Sequence, residues 1–322
     1  MVLEQEKSVV TSAVEEALEA HREVFTPSSV FGECLPYLKE YVTGGKLFRG
    51  SLYLAGCDAL GVEGNPRVAA GIELLHSAML VQDDVMDRDD TRRGLKAVHK
   101  ELKRYSEHHA ESLSTLVSDA FIFIAYHEFS NHPRPARCSR VASECLLSTV
   151  RGQGLDITAP FLELTREQCL QIHREKTGRY TFTMPLRMAY AHTDTSPDHL
   201  KVIGGLYGVL FQLRDDELNV YGDRKETGKP VMSDVVEGKQ TVLRELVVRH
   251  DPSLKECFGD ESAVERRHDD LRLTLDAVRE EHEGIRDGFE AEAVDYVKET
   301  VEHESLRGLL LEVLEAVLRR DR

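Results

Sequence analysis

Two clusters of acidic side chains, about 130 residues apart, are the residues of this chain best suited to chemistry. Each lies inside an apolar run with helical spacing, where neighbouring carboxylates repel one another and lose hydration unless cations neutralise them. Aspartates at positions i and i+4 share one face of a helix and can present oxygens to the same ion. The sequence therefore predicts a metal site built from DDVMD (Asp83, Asp84 and Asp87) and DDELN (Asp215, Asp216 and Asn219).

The ligand chemistry favours Mg²⁺. The ligands are oxygens from a few carboxylates, and nothing around them resembles the twelve-residue loop of a calcium site. Mg²⁺ keeps several waters and is usually completed by substrate phosphates, so a diphosphate is the natural partner. A solvated acidic helix face is the alternative for DDVMD alone, and the second cluster weighs against that alternative.

Basic residues surround both clusters in a chain that is otherwise acidic. Arginine binds phosphate oxygens in pairs, lysine supplies a point charge, and glycine lets the backbone approach an anion. Singly, each would more often be surface charge. Together they predict phosphate binding by Gly44, Gly45, Lys46 and Arg49 before the first cluster, Arg92, Arg93 and Gly94 after it, Lys176 and Thr177 between the clusters, and Lys229 and Lys239 after the second.

Composition limits the class of protein. A chain of 322 residues, 41% of them hydrophobic, suffices for a substantial core, and we expect one domain over residues 1–322 because nothing marks a linker. No apolar run approaches the ~20 residues of a membrane span, and no signal-peptide segment is evident, so we expect a cytoplasmic protein. The formal net charge of -16 argues against nucleic acid as a partner. Six cysteines without CxxC spacing suggest core thiols.

The elements that position these residues are predicted to be helices. Apolar residues recur with helical spacing throughout, and strand signals are nearly absent. An all-α bundle builds metal and ligand sites from side chains that point inward between long helices. We expect helices over residues 3–23, 33–42, 47–60, 66–89, 111–130, 136–158, 165–190, 197–221, 239–250, 261–300 and 303–320.

Six ordered motifs carry a family resemblance. From about Gly44 to about Thr241 the chain resembles a trans-isoprenyl diphosphate synthase of the farnesyl and geranylgeranyl type. The resemblance implies the isoprenoid synthase fold, a helical bundle with a central hydrophobic cavity, and Mg²⁺-dependent head-to-tail condensation of isopentenyl diphosphate with allylic diphosphates. The motifs are GGKLFRG, ELLHSAMLVQDDVMDRDDTRRG, RGQGLD, EKTGRYTFTMPL, FQLRDDELNVYGD and TGKPVMSDVVEGKQT.

The resemblance also assigns the metal ligands. Asp83, Asp87 and Asp215 become direct ligands of three Mg²⁺ ions that hold the allylic diphosphate, if the two acidic helices face each other. Asp84 and Asp216 support the ions through water or hydrogen bonds. Asn219 departs from the family, whose second motif commonly ends in aspartate, and we expect this amide to tune the second half of the site.

Two diphosphate sites and a reacting centre follow from the same resemblance. Arg92, Lys176, Lys229 and Lys239 are expected to clamp the allylic diphosphate. Lys46, Arg49, His76 and Arg93 match the pocket for isopentenyl diphosphate, although Leu47 and Gly50 stand where many relatives carry arginine and proline. The reacting centre is lined by Gln153, Asp156, Thr177, Tyr180 and Gln212, and oxygens of Thr177 and Gln212 are expected to stabilise the carbocation.

Product length depends on the residues just before the first motif. In this family a bulky aromatic side chain there closes the hydrocarbon cavity near fifteen carbons, whereas this chain has Ala78 and Met79. Met79 lies one helical turn before Asp83, and Leu75 lies one turn deeper. We therefore expect geranylgeranyl diphosphate, with twenty carbons, and keep farnesyl and twenty-five-carbon or longer products as alternatives.

Two other functions compete with this interpretation. A class I terpene cyclase shares metal-triggered ionisation but needs no second diphosphate site, so Lys46, Arg49 and Arg93 count against it. A non-catalytic subunit of a synthase has no need of metal ligands, yet both aspartate clusters are intact. We expect the protein to act as a homodimeric synthase.

Overall fold

The computed structural model describes residues 3–26, 31, 34–195, 197–222 and 232–319, and these residues are almost entirely helical. The first part contains α1 (Glu4–Ala20), α2 (Leu35–Thr43), α3 (Phe48–Ala59), α4 (Pro66–Met86), β1 (Thr91–Arg92), β2 (Leu95–Lys96), α5 (Val98–Glu101), α6 (Glu107–Phe129) and α7 (Pro135–Thr158). After α7 the chain forms α8 (Arg166–Ile172), a π-helix (His173–Thr183), α9 (Met184–Tyr190), α10 (His199–Tyr221), α11 (Ser233–Val236), α12 (Val242–His250), α13 (Glu261–Arg266), α14 (His268–Thr300) and α15 (Glu304–Leu318). Short 3₁₀ segments cover Arg22–Phe25, Ala159–Phe161 and Pro252–Cys257.

The chain divides into two compact units. Unit 1 contains Met1–Ala142 and Pro185–Ser196, and unit 2 contains Ser143–Met184 and Pro197–Arg322. The first aspartate motif therefore belongs to unit 1 and the second to unit 2.

Unit 1 is organised around helix α4, which packs against α1, α3 and α6. Asn65 caps α4 by accepting the Arg67 N–H at 2.9 Å, and Pro66 occupies the first helical position, where its missing N–H costs nothing. At the far end of the α4–α6 pair, the fully buried Glu128 accepts two hydrogen bonds from the Arg67 guanidinium. These contacts fix the axial position of α4, whose last turn carries the aspartates.

Unit 2 is organised around helix α10, which packs along the π-helix and against α14 and α15. Its core is aliphatic and joins α10 to α11, α12 and α14. The buried Tyr207 on α10 donates its hydroxyl to the carbonyl of Leu310 on α15 at 2.7 Å. Burial of these apolar side chains, each worth roughly 1.5–3 kcal/mol, holds the last turn of α10 and its aspartates.

The all-α fold class is confirmed, with local differences. Helix α4 ends at Met86 rather than at residue 89, and a short hairpin follows it. The helix predicted over 261–300 is two helices with a break at Arg267. The helix predicted over 165–190 contains the eleven-residue π-helix. Its i→i+5 hydrogen bonds are rare in proteins, and the sequence does not predict them.

All six cysteines are free and buried. Within the described part of the chain, no helix is both long enough and apolar enough to cross a membrane.

Candidate active site

The first aspartate motif occupies the last turn of α4 and the residue that ends it. The N–H of Asp87 donates to the carbonyl of Asp83 at 2.8 Å, so the two residues are one α-helical turn apart. Their side chains are partly exposed, in contrast to the interior residues of α4. The backbone therefore places both carboxylates on one side of the helix end, as i and i+4 spacing requires.

Asp84 points into unit 1. Its fully buried carboxylate accepts hydrogen bonds from the Tyr41 hydroxyl at 2.9 Å and from Nε of Arg92 at 2.6 Å. Burial raises the pKa of Asp84, and the positive charge of Arg92 opposes that rise. The guanidinium of Arg92 also lies 3.0 Å from Asp89 and 3.6 Å from Asp83. Arg92 is thus held beside the first motif by three carboxylates.

A tight hairpin presents the two arginines that follow the motif. β1 and β2 pair antiparallel, with Thr91 opposite Lys96 and Arg92 opposite Leu95. The two turn residues have positive φ, 54° at Arg93 and 80° at Gly94, as in the type I′ turns that suit hairpins. Successive residues of a strand point to opposite sides, and Arg93 follows the last residue of β1. The side chain of Arg93 therefore points in a different direction from that of Arg92. The hairpin therefore separates the two guanidinium groups.

Arg93 belongs to a cluster of largely buried side chains in unit 1, Arg49, Glu73, His76 and Arg93, which we call the basic pocket. Its guanidinium donates to the carbonyls of Tyr41 and Val42 at 3.2 and 3.3 Å, and Nη2 lies 3.3 Å from Nε2 of His76. Burial lowers the pKa of His76 far below its usual value, and the charges of Arg49 and Arg93 lower it further. His76 is therefore neutral at physiological pH.

Glu73 is the pocket residue that the sequence analysis missed. Its buried carboxylate accepts the backbone N–H of Gly50 at 2.7 Å, one residue after Arg49. Burial raises the pKa of Glu73, while the charge of Arg49 acts in the opposite direction. A single glutamate within the apolar run GIELLH was the signal that could have identified it, because an unpaired charge is seldom placed there. Lys46, by contrast, is exposed.

In unit 2, Lys176 and Asp156 form an ion pair. Nζ of Lys176 donates to Oδ2 of Asp156 at 2.5 Å, and both side chains are about three-quarters buried. The π-helix carries Lys176 and α7 carries Asp156, and the two helices approach closely at Gly152. A Cβ atom at Gly152 would lie 2.9 Å from Cα of Lys176, closer than real Cβ contacts. Gly152 therefore permits the approach that brings the lysine to the aspartate.

A second ion pair fixes the same stretch of π-helix. The buried carboxylate of Glu175 accepts two hydrogen bonds from the guanidinium of Arg151, and one from Nε2 of Gln171 at 3.2 Å. Thr177, two residues further on, is buried, and Tyr180 is partly buried. Gln153 lies on α7 beside Gly152, and Gln212 lies on α10 one helical turn before the second motif. Every residue predicted for the reacting centre therefore belongs to unit 2.

The second aspartate motif occupies the last two turns of α10. Asp215 is partly exposed, whereas Asp216 is buried, and within the described residues its Oδ2 has no hydrogen-bond partner. Burial raises the pKa of Asp216 well above its usual value, and the charges of Asp234 and Asp215 add to the rise. The ionised form of this buried carboxylate is therefore disfavoured unless a cation lies beside it.

Glu217, inside the motif, faces the opposite way. It accepts hydrogen bonds from Arg214 at 3.0 Å and from Arg286 on α14 at 2.7 Å, and Nδ1 of His282 lies 3.3 Å away. Burial alone would raise the pKa of Glu217, but these partners lower it to about 2. Glu217 thus ties the motif to α14 and leaves Asp215 on the other face.

The last residue of the second motif, Asn219, contacts the chain that resumes at Met232. It bonds to Ser233 and Asp234, and Lys239 lies 3.5 Å from Asp234 and 2.8 Å from Glu237. Lys229 lies outside the described residues.

The residues predicted to set product length lie on α4 against α6. Leu75 and Ala78 are fully buried, and Met79 is partly exposed. The hydroxyl of Ser118 on α6 donates to the carbonyl of Ala78 at 3.1 Å and accepts from Nε2 of Gln82 at 2.8 Å. The side chain of Ser118 therefore contacts the backbone of α4 at Ala78, and both residues are small.

Known proteins are similar to this chain in sequence and in fold. The chain matches the polyprenyl synthetase family over residues 33–272. It is 31% identical to the short chain isoprenyl diphosphate synthase of Methanocaldococcus jannaschii over 54% of this chain and 53%, about half, of that protein. It is 30% identical to the geranylgeranyl diphosphate synthase of Saccharolobus solfataricus over 74% of each chain. Other relatives are a farnesyl diphosphate synthase from Micrococcus luteus and a geranylfarnesyl diphosphate synthase from Aeropyrum pernix.

A solved structure shows the same fold. The geranylgeranyl pyrophosphate synthase of Corynebacterium glutamicum, crystallised with isoprenyl diphosphate and magnesium, superimposes with a TM-score of 0.85. The superposition covers 99% of this chain and 100% of that one at 24% sequence identity.

A helical fold with two aspartate motifs and separate clusters of cationic side chains is that of a prenyltransferase. The chain belongs to the polyprenyl synthetase family and is a trans-isoprenyl diphosphate synthase of the geranylgeranyl and farnesyl type. The family resemblance drawn from the sequence motifs is confirmed.

Proposed function

We propose that this protein is a geranylgeranyl diphosphate synthase, which adds isopentenyl diphosphate to allylic diphosphates until the product has twenty carbons. In each cycle the allylic carbon–oxygen bond breaks, and diphosphate leaves with the bonding electrons. The double bond of isopentenyl diphosphate supplies the electrons of the new carbon–carbon bond. A proton then leaves the intermediate, and the released diphosphate is its proposed acceptor. The observation that carries the product length is the meeting of two small residues, Ala78 and Ser118, in the helix pair that bears the first motif.

The residues of both motifs fit Mg²⁺. Asp83 and Asp87 offer oxygens from adjacent turns, Asp215 is partly exposed, and Asp216 has a buried oxygen without a partner in the described chain. Mg²⁺ is usually bound by one or two carboxylates, with waters and substrate phosphates in the remaining positions. Asp83, Asp87 and Asp215 are the proposed direct ligands of three ions, with Asp84, Asp216 and Asn219 in support. Bound Mg²⁺ neutralises the charge that develops on the leaving diphosphate.

Four cations are proposed to bind the allylic diphosphate. Arg92 lies 3.6 Å from Asp83, and its pairing with Asp84 fixes the direction of its guanidinium. Lys176 is held by Asp156 at 2.5 Å, so its ammonium meets the substrate already oriented. Lys229 and Lys239 are proposed to contribute two further charges.

The basic pocket of unit 1 is proposed to bind isopentenyl diphosphate without metal. Arg49 and Arg93 lie there with a neutral His76. The exposed Lys46 lies three residues before Arg49 in the motif GGKLFRG. Burial lowers the pKa of Arg93. The positive charge of Arg49 lowers this pKa further, whereas the negative charge of Glu73 raises it. Two guanidinium groups and one carboxylate leave the pocket with a net positive charge, which an arriving diphosphate would neutralise.

Thr177, Gln212, Gln153 and Tyr180 are proposed to line the path of the carbocation. Thr177 is buried on the π-helix beside Lys176, and Gln212 lies one turn before Asp216 on α10. The oxygens of Thr177 and Gln212 are proposed to stabilise the carbocation through their dipoles. They carry no full negative charge that could trap it. Exclusion of water is the other requirement, because water would quench an allylic cation.

The product-length proposal extends from Ala78 to Met79 and Leu75. Ala78 has no side chain beyond Cβ, so it cannot block a growing hydrocarbon, whereas Met79 is flexible and Leu75 is bulky and fully buried. The name of the S. solfataricus relative agrees with twenty carbons. The A. pernix relative supports a twenty-five-carbon product as the alternative.

The deciding experiment is an assay of the purified protein with isopentenyl diphosphate and each allylic primer, with products separated by chain length. Geranylgeranyl diphosphate as the main product would support the proposal, and products that stop at fifteen carbons would contradict it. Cyclised hydrocarbons formed without isopentenyl diphosphate would indicate a terpene cyclase. Inactivity with every primer would favour a non-catalytic subunit.

We also propose that the enzyme is a homodimer in the cytoplasm. Both proposals rest on the sequence. Light scattering of the purified protein tests the first, since a mass near the 36.4 kDa of one chain would exclude a dimer. Fractionation of source cells tests the second.

A further inference from the structure

Asn219 makes three hydrogen bonds with the chain that resumes at Met232. Its Oδ1 accepts the backbone N–H of Asp234 at 3.2 Å, and its Nδ2 donates to Oγ of Ser233 at 2.7 Å. Its backbone carbonyl accepts the N–H of Met232 at 2.9 Å. The last turn of α10 is therefore connected to the first turn of α11 by one residue. A carboxamide suits this position because it donates and accepts at the same time.

The connection continues to Lys239. The N–H of Lys239 donates to the carbonyl of Asp234 at 2.9 Å, and Nζ of Lys239 lies 3.5 Å from Oδ1 of Asp234. Asp234 and Asp216 line the same small cavity of unit 2, so Asp234 lies beside the second motif. The ammonium of Lys239 is thus located by two carboxylates, Glu237 at 2.8 Å and Asp234 at 3.5 Å, and the backbone of Asp234 is located by Asn219.

We propose that Asn219 is a positioning residue for Lys239. It anchors the segment Met232–Lys239 to the second aspartate motif, and so holds the lysine ammonium ready for the diphosphate of the allylic substrate. This inference rests on the proposed role of Lys239 in the synthase reaction. Asn219, which lacks the charge usual at this place in the motif, acts through hydrogen bonds instead.

The first test compares kinetic constants for the two substrates. Asn219→Leu removes both side-chain hydrogen bonds at nearly constant volume, and is expected to raise KM for farnesyl diphosphate about fivefold while KM for isopentenyl diphosphate stays constant. Asn219→Asp keeps the acceptor for Asp234 and lets the Ser233 hydroxyl donate, so it is expected to behave like the wild type. Equal changes in both KM values, or a defective Asn219→Asp variant, would overturn the proposal.

A double-mutant cycle tests whether Asn219 acts through Lys239. Lys239→Ala is expected to raise KM for farnesyl diphosphate, and adding Asn219→Leu is expected to change it by less than about twofold more. Fully additive effects would show that Asn219 acts elsewhere. Ser233→Ala, which removes one of the hydrogen bonds, provides a milder variant if Asn219→Leu does not fold. The matched control is Asp251→Ala, which removes the capping side chain of the 3₁₀ segment Pro252–Cys257 in unit 2 and is expected to leave both KM values unchanged.

Hydrogen exchange measured by mass spectrometry tests the anchor without any substrate. Peptides covering residues 232–239 are expected to exchange at least fivefold faster in Asn219→Leu than in the wild type, with other peptides of unit 2 unchanged. An unchanged rate would overturn the anchor. Faster exchange together with a kinetically silent Lys239→Ala would overturn the role of Lys239, while the synthase reaction itself would stand.

Discussion

The guanidinium of Arg93 lies against the backbone of Gly45, with no room for a side chain between them. A Cβ atom at Gly45 would come within 2.6 Å of Nη2 of Arg93. The sequence predicts that Gly45 lets the backbone approach an anion, whereas in the structure Gly45 makes room for the cation proposed to bind that anion. The identity of residue 45 therefore sets the position of Arg93.

Gly45→Ala is expected to reproduce the defect of Arg93→Ala. The new methyl group would displace the guanidinium and break its hydrogen bonds to Tyr41 and Val42. Hydrogen bonds to charged groups contribute about 1.5–3 kcal/mol, so KM for isopentenyl diphosphate should rise about tenfold or more. Steady-state kinetics would measure this KM in wild type and variant. Gly308→Ala, at a helical glycine with open space around it, is the control, and equal behaviour of the two variants would contradict the prediction.

Asp83→Ala and Asp215→Ala are each expected to lower kcat about a hundredfold or more without unfolding the protein. Each removes a charge needed when the diphosphate leaves. Turnover at saturating Mg²⁺ and a thermal melt would be measured together. Asp269→Ala, at an exposed position of α14, is the control. Near-normal turnover in either motif variant would show that its carboxylate does not serve the metal.

The two proposed diphosphate sites should separate kinetically. Lys46→Ala and Arg93→Ala are expected to weaken chiefly isopentenyl diphosphate, whereas Lys176→Ala and Arg92→Ala are expected to weaken chiefly the allylic substrate or its ionisation. The contacts agree with this division, since Arg93 bonds within the basic pocket and Arg92 lies beside Asp83. Equal effects of all four variants on both substrates would argue against two anion sites.

Ala78→Phe is expected to shorten the main product to fifteen carbons. The aromatic ring would occupy space beside Ser118, where α4 and α6 now meet through small residues. Chromatography of the products would measure the change. Leu80→Phe adds a ring two residues further along on a different face of α4, and serves as control. An unchanged product distribution in Ala78→Phe would mean that this helix does not set the length.

Stability should depend on pH through His132. Nδ1 of His132 accepts the N–H of Arg134 at 2.9 Å, and burial lowers its pKa from 6.5 to about 4. Between these values the unfolded chain binds more protons than the folded protein, so stability rises with pH. The contribution is complete above pH 6.5 and is lost as the pH falls toward about 4.

His132→Gln is expected to reduce this pH dependence. A single titrating group contributes a slope of up to about 1.4 kcal/mol per pH unit. Urea unfolding at several pH values between these limits would give the slope for both proteins. Parallel curves for wild type and variant would show that the pKa of His132 is the same in the folded and unfolded states.

Some features were predictable because they depend on local sequence. Helix α4 follows from its apolar spacing, its asparagine cap and Pro66, and the i and i+4 placement of Asp83 and Asp87 follows from helix geometry. The hairpin after α4 was not predicted, because its two-residue strands are too short to show alternation. The partners of Glu73 and Asn219 come from distant parts of the chain, so no local pattern reveals them.

The π-helix contains more residues than an α-helix with the same number of turns would, in the segment that carries Lys176 and Thr177. Each of its turns uses one residue more than an α-helical turn, so one deletion could be absorbed while the backbone stayed hydrogen-bonded. The deletion would change the directions of the side chains, because the residues beyond it would rotate about the helix axis. Lys176 would then leave Asp156 even though no residue of the ion pair had changed. A change in the length of this segment would therefore be compatible with the fold but not with the proposed role of Lys176.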